Sequence, residues 1–124
     1  MKSVIATTAA PAAIGPYSQG IVAGDLVFVS GQLPIDAASG TMPADVSAQT
    51  TLSLKNIAAI LEAAGSSMDK VVKTTVFLKD MDSFPEMNTV YQTFFTEATP
   101  ARCAVEASCL PKGASVEIEA IAML

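Results

Sequence analysis

Histidine is absent from this chain of 124 residues. Its absence excludes the Cys/His ligand sets of structural zinc sites and every nucleophile activated by an imidazole base. Acid-base work near neutral pH is left to a carboxylate, a tyrosine, a lysine, a thiol or water. Charge is scarce as well: 15% of residues are charged, and 7 Lys and Arg against 12 Asp and Glu give a net charge of -5. No segment gathers basic residues as a phosphate-backbone footprint requires, so nucleic acid is a poor partner on electrostatic grounds. No apolar run approaches the length of about eighteen residues that marks a bilayer span, and Met1 to Ala10 carries one lysine without a signal-like core. The expectation is a soluble, cytoplasmic protein with no membrane partner. Only two cysteines occur, Cys103 and Cys109; along one extended segment they would stand about 20 Å apart, too far for a disulfide. Both are expected to pack as small hydrophobes.

What the chain has in quantity is apolar side chain, at 51%. That suffices for one packed domain over residues 1–124 without disulfide or metal staples. It is also more apolar surface than so small a domain hides, which points to a homo-oligomer.

No internal repeat or low-complexity tract appears, and Pro and Gly are spread as turn punctuation. A short strand around Ser3 to Thr7 precedes a rigid loop, Ala10-Pro11-Ala12-Ala13-Ile14-Gly15-Pro16-Tyr17, in which two prolines fix φ. Tyr17 to Val22 and Leu26 to Ser30 form the arms of a hairpin, with Gly31 ending the ladder. Between Asp45 and Ala64, Leu54, Ile57, Ala58, Ile60, Leu61 and Ala64 recur at helical spacing, with Lys55, Asn56 and Glu62 on other faces and Gly65 as the stop. Val71 to Leu78 is β-branched and nearly continuous in apolar character, hence a strand. Ser83-Phe84-Pro85-Glu86 matches a capping box and predicts a second helix to about Glu97, burying Phe84, Met87, Val90, Tyr91, Phe94 and Phe95. Arg102 to Cys109 and Ala114 to Met123 alternate as strands. The predicted order is β-β-β-α-β-α-β-β, an α+β layout in which two helices cover one face of a sheet and the other face needs a partner.

Few polar residues look unnecessary for folding. Arg102 is set between Pro100-Ala101 and the apolar Cys103-Ala104-Val105. Either it is paired in a buried or interface salt bridge, or its planar fork clamps a ligand carboxylate in a geometry lysine cannot copy. Glu117 and Glu119 share one side of their strand, either as a solvated edge or as an acid/base pair that positions water. Tyr17, after a Gly-Pro turn, packs as an aromatic or aims its hydroxyl at a ligand. Ser30-Gly31 is a turn or a closely approachable backbone, and Asn88 is a surface residue or a pocket one.

As ordered strings these segments resemble the RidA (YjgF) family of reactive-intermediate deaminases from Ile5 to Ala122. The strings are Ala10 to Gly20, Ser30-Gly31-Gln32, Val71 to Leu78 with Asp80-Met81, Pro100-Ala101-Arg102, Leu110-Pro111-Lys112-Gly113 and Glu117 to Ala122. The resemblance implies a chorismate-mutase-like fold and a homotrimer with active sites between subunits. It also implies a cofactor-free and metal-free hydrolysis of 2-imino acids, such as 2-iminopropanoate and 2-iminobutanoate, to 2-keto acids and ammonia. By position, Arg102 clamps the substrate carboxylate, Glu117 activates water, and Tyr17, Ser30, Gly31 and Asn88 line the pocket. Ala104 stands where many members carry a cysteine that meets ligand through its backbone. Two rival readings use the same residues differently: a non-catalytic sensor of small carboxylates, and an endoribonuclease or translation inhibitor.

Overall fold

A computed structural model describes residues 1–124 and contains eight principal elements in the expected order. These are β1 (Lys2–Ile5), β2 (Gly20–Ala23), β3 (Leu26–Gln32), α1 (Val46–Ala63), β4 (Val71–Leu78), α2 (Phe84–Phe94), β5 (Ala101–Glu106) and β6 (Val116–Met123). The strands form one six-stranded sheet in the order β1-β2-β3-β6-β4-β5. Every pairing is antiparallel except β4 with β5, which α2 connects in the crossover that a parallel pair requires. No helix is long and apolar enough to cross a membrane.

Side chains alternate across a strand, and both helices lie on one face of the sheet. Val27 and Val29 of β3, Thr74, Val76 and Leu78 of β4, and Val116, Ile118, Ala120 and Ala122 of β6 are buried beneath them. From α1, two adjacent rows descend onto this surface, Gln49-Ser53-Asn56-Ile60 and Thr50-Leu54-Ile57-Leu61, all buried. Each fully buried Leu or Ile contributes roughly 1.5–3 kcal/mol, which attaches the helix. Asn56 was expected on another face; it is buried because its amide donates to the Leu33 and Ile35 carbonyls at 3.1 and 2.9 Å, tying down the chain after β3. The helix begins on Asp45, whose carboxylate accepts from the Ala48 amide at 2.7 Å. It ends as expected at Gly65, with φ +84: the Gly65 and Ser66 amides return to the Glu62 and Leu61 carbonyls.

Several boundaries differ from the sequence reading. The Ser83 side chain makes no cap bond. Asp80 instead caps a single 3-10 turn over Met81–Ser83 that runs straight into α2, so Ser83 is already helical and the capping box is not formed. α2 stops at Phe94, short of Glu97, because Phe95 leaves the helix to bury its ring against Tyr91, 4.7 Å between centroids. The first strand is Lys2–Ile5, and the hairpin arms begin at Gly20 and run past Gly31 to Gln32. Gly31 does not end the ladder; register shifts between Val29 and Gln32 mark a bulge in β3. β5 ends at Glu106, so Cys109 lies beyond the strand, and both cysteines are exposed within the chain rather than packed.

The loop before β2 is held by one side chain. Gln19 is 4% exposed; its amide nitrogen donates to the Thr7, Ala10 and Pro11 carbonyls at 3.0, 3.3 and 2.8 Å, and its oxygen accepts from the Thr7 amide at 2.7 Å. Gln19→Ala therefore orphans several backbone groups at once and is expected to cost about 2 kcal/mol. Denaturant titration at fixed protein concentration checks this, together with faster hydrogen exchange at the Thr7 amide; an unchanged midpoint contradicts it.

Candidate active site

The bulge in β3 and the Gln19-pinned loop face the same space. Ser30 joins them: its hydroxyl donates to the Ser18 carbonyl at 2.6 Å, and its amide donates to the Gln19 carbonyl at 3.0 Å. The Ser30 proton is thus spent inside the protein, leaving its oxygen as an acceptor. Tyr17 follows a tight turn in which its amide donates to the Gly15 carbonyl at 2.9 Å, and its ring lies over Gly15. It is 53% exposed, so packing does not account for it.

Beside the bulge stands Glu117, on the face of β6 that the helices do not cover. The solvated-edge reading fails, because β6 is a central strand flanked by β3 and β4. Glu117 is half-buried, and Gly31 is a glycine because of it: a Cβ there would collide with Glu117 Oε2 and come within 3.1 Å of its Cδ. Burial pushes the Glu117 carboxyl above the ordinary carboxylate range, and the negative charge of Glu119 raises it further. Tyr17, Ser30, Gly31 and Glu117 line one cleft of about 750 Å³, together with Ile14, Gln32, Asp36 and Lys112. Lys112 holds a left-handed backbone, φ 58, just ahead of Gly113.

Arg102, Asn88 and Ala104 lie elsewhere. Arg102 is in parallel register with Thr74 of β4, so its side chain leaves the helix-covered face at the exposed edge of the sheet. It is paired with no carboxylate; Nη1 donates to Asn88 Oδ1 at 2.7 Å. Its guanidinium lies over the rings of Tyr91 and Phe84, 4.7 and 5.2 Å from their centroids. Ala104, two residues along the same face of β5, is half-buried against the core. Burial pushes the Tyr91 phenol up, while its hydrogen bond with Thr74 and the charge of Arg102 pull the other way.

The residues singled out in the sequence therefore form two groups. One faces the cleft on the open side of the sheet, and the other sits under α2 on the opposite side. Within a single chain the sheet keeps Arg102 and Glu117 apart. Sequence reasoning did not give Gln19, Asn56 or Lys112 a role in shaping this region. The signal for Asn56 was present, since it continues the row Gln49-Ser53-Asn56-Ile60 at helical spacing.

The chain is similar to known proteins along its whole length. The chain is 52% identical over 126 residues to the 2-iminobutanoate/2-iminopropanoate deaminase of Escherichia coli, covering 99% of this chain and 98% of that one. It is 55% identical over 123 residues to a RutC family protein of Pyrococcus horikoshii, covering 98% of each. Among solved structures, the YjgF gene product of E. coli superposes with a TM-score of 0.95 at 51% identity, covering 98% of each chain. E. coli TdcF with bound serine gives a TM-score of 0.95 at 46% identity, again covering 98% of each. Residues 7–124 match the family model described as Endoribonuclease L-PSP, and with these relatives the chain belongs to that family, the one that includes the YjgF/RidA deaminases.

Proposed function

We propose that the protein hydrolyses 2-imino acids to 2-keto acids and ammonia, at sites formed between subunits of a homotrimer. The observation that carries this is the division of the site: a half-buried carboxylate with a raised proton affinity on one face, and a guanidinium without a carboxylate partner on the other. Neither half is a site alone. A second copy that brings its β5 edge to the open cleft of the first joins them, and it also covers apolar side chains the single chain leaves exposed, including Phe28, Val105 and Met123. The named activity of the E. coli relative supports the reading.

In this site Arg102 takes the substrate carboxylate through the donors that Asn88 does not use. A protonated imine carbon is already electrophilic, so positioning supplies most of what the reaction needs. Glu117 accepts a proton from a water as the water's oxygen bonds to the imine carbon, giving a carbinolamine. The carboxyl then returns the proton to nitrogen; as the C–N bond breaks, the ionised Glu117 takes the hydroxyl proton, so ammonia leaves as the carbonyl forms, and the carboxyl passes that proton on to water. Its raised proton affinity suits a group that must give a proton as well as take one. Tyr17 closes the cleft mouth, and the Gly31 and Ala104 backbones approach the ligand where side chains would block it. The substrates are the short imines released by pyridoxal-phosphate dehydratases, and the activity is cytoplasmic. No cofactor or metal takes part in these steps.

The family description favours a second reading, ribonuclease activity. A net charge of -5 and a chain without histidine weigh against it, since RNA cleavage needs backbone contacts and a proton shuttle.

The test is keto-acid release from 2-aminoacrylate generated in situ. Arg102→Lys keeps the charge but loses the fork and is expected to lower kcat/KM on the order of a hundredfold; Arg102→Ala lowers it further. Unchanged rates in both remove the clamp. For Glu117→Gln, activity is expected to fall by about the 10²–10⁴ typical of a lost general acid/base. In the parent, activity is expected to rise with pH along a limb displaced above the ordinary carboxylate range. Stability moves the opposite way. The folded Glu117 binds its proton more tightly than the unfolded one, so its contribution is complete below the ordinary carboxylate pKa and is lost as pH rises through the folded value. Glu117→Gln escapes that loss, and its denaturation midpoint at neutral pH is expected to exceed the parent's. A lower midpoint contradicts the assignment.

A further inference from the structure

Arg102 is the one arginine in the chain; the other six cations are lysines. An arginine on an exposed strand edge ordinarily samples many rotamers, and a clamp that must be ordered by its ligand loses binding strength to that ordering. Here three residues of α2 prevent it. Phe84, Asn88 and Tyr91 are spaced four and three apart, so they share one helix face. Their rings lie beneath the cation at 5.2 and 4.7 Å, and the Asn88 oxygen takes Nη1 at 2.7 Å. Rings restrain the tilt of the guanidinium plane, and the amide restrains its rotation within that plane.

Tyr91 is itself fixed. It is 5% exposed, and its hydroxyl is 2.7 Å from Thr74 Oγ1. Thr74 is the β4 residue in register with Arg102 on β5. Ring and guanidinium are therefore anchored to the same point of the sheet. A phenylalanine would supply the same ring face without that anchor, and the buried hydroxyl is tolerated because Thr74 satisfies it.

We propose that Phe84, Asn88 and Tyr91 form a cradle that preorganises Arg102 for a substrate carboxylate, with Tyr91, anchored through Thr74, as its principal positioning residue. The proposal rests on the clamp reading of Arg102. Tyr91 is buried beneath the cation and acts through it rather than on the substrate.

Because the chain has a single arginine, labelling the full protein with 13C,15N-arginine gives one guanidinium spin system to follow by NMR. Rotation about the Cζ–Nε bond and the response to added 2-oxobutanoate are read on the same signals. The parent is expected to show hindered rotation and a saturable shift. In Tyr91→Leu rotation is expected to be about tenfold faster and 2-oxobutanoate about tenfold weaker, and Phe84→Leu and Tyr91→Phe, which keeps the ring but loses the Thr74 anchor, are expected to move the same way by less. Should Tyr91→Leu fail to fold, Phe84→Leu, in the part-exposed first turn of α2, carries the comparison. Unchanged rotation, or faster rotation with unchanged affinity, overturns the cradle and leaves the clamp standing. A parent guanidinium that ignores 2-oxobutanoate overturns the clamp, and the cradle with it.

Discussion

Period-two alternation through the central strand β6 is the constraint on which the rest depends. Val116, Ile118, Ala120 and Ala122 go into the core beneath the helices, which commits Glu117 and Glu119 to the uncovered face. A slip of one residue would drive both carboxylates into the core and every apolar partner out, so the register is held by the whole hydrophobic layer. The same rule acts on β5. Arg102 shares its face with Thr74, the helix side, and its backbone lies at the sheet edge where no further strand covers it.

The two residues that the proposed hydrolysis requires are thus kept apart by the element that makes the chain stable. Association resolves this more readily than any movement within the chain. The open face carries exposed Val4, Phe28, Val105 and Met123, and a monomer that presented them to water would be prone to unspecific contact. Burying that face against copies of itself and completing the catalytic pair are, in the proposed trimer, one event. Cys103, on the same exposed face of β5, belongs to the surface such an interface would cover.

The architecture was legible in the sequence wherever periodicity was strong: the strand Val71 to Leu78, the helix closed by Gly65, and the alternating tail. Local cap chemistry was less so. Ser83-Phe84-Pro85-Glu86 has the residues of a capping box, yet Asp80 starts a turn earlier and makes it unnecessary, a competition between neighbouring caps that spacing alone does not decide. Buried polar residues were harder still. Gln19 and Asn56 read as a hairpin-arm and a surface position because their partners are backbone carbonyls as many as 23 positions away in the chain, and pattern carries no trace of those. Arg102 and Glu117 stood out in the sequence as charged residues set in otherwise apolar strands. Their placement on opposite faces was implicit in strand alternation but needed the strand order to become visible, since only the order shows β6 central and β5 at the edge.

Complementation between inactive variants tests the shared site most directly. Arg102→Ala and Glu117→Gln chains, each inactive alone, are unfolded together in equal amounts, refolded and assayed for keto-acid release. If each site takes its guanidinium from one chain and its carboxylate from another, random mixing restores about a quarter of parental activity. No recovery, from mixed oligomers verified by mass spectrometry, contradicts the division of the site between chains.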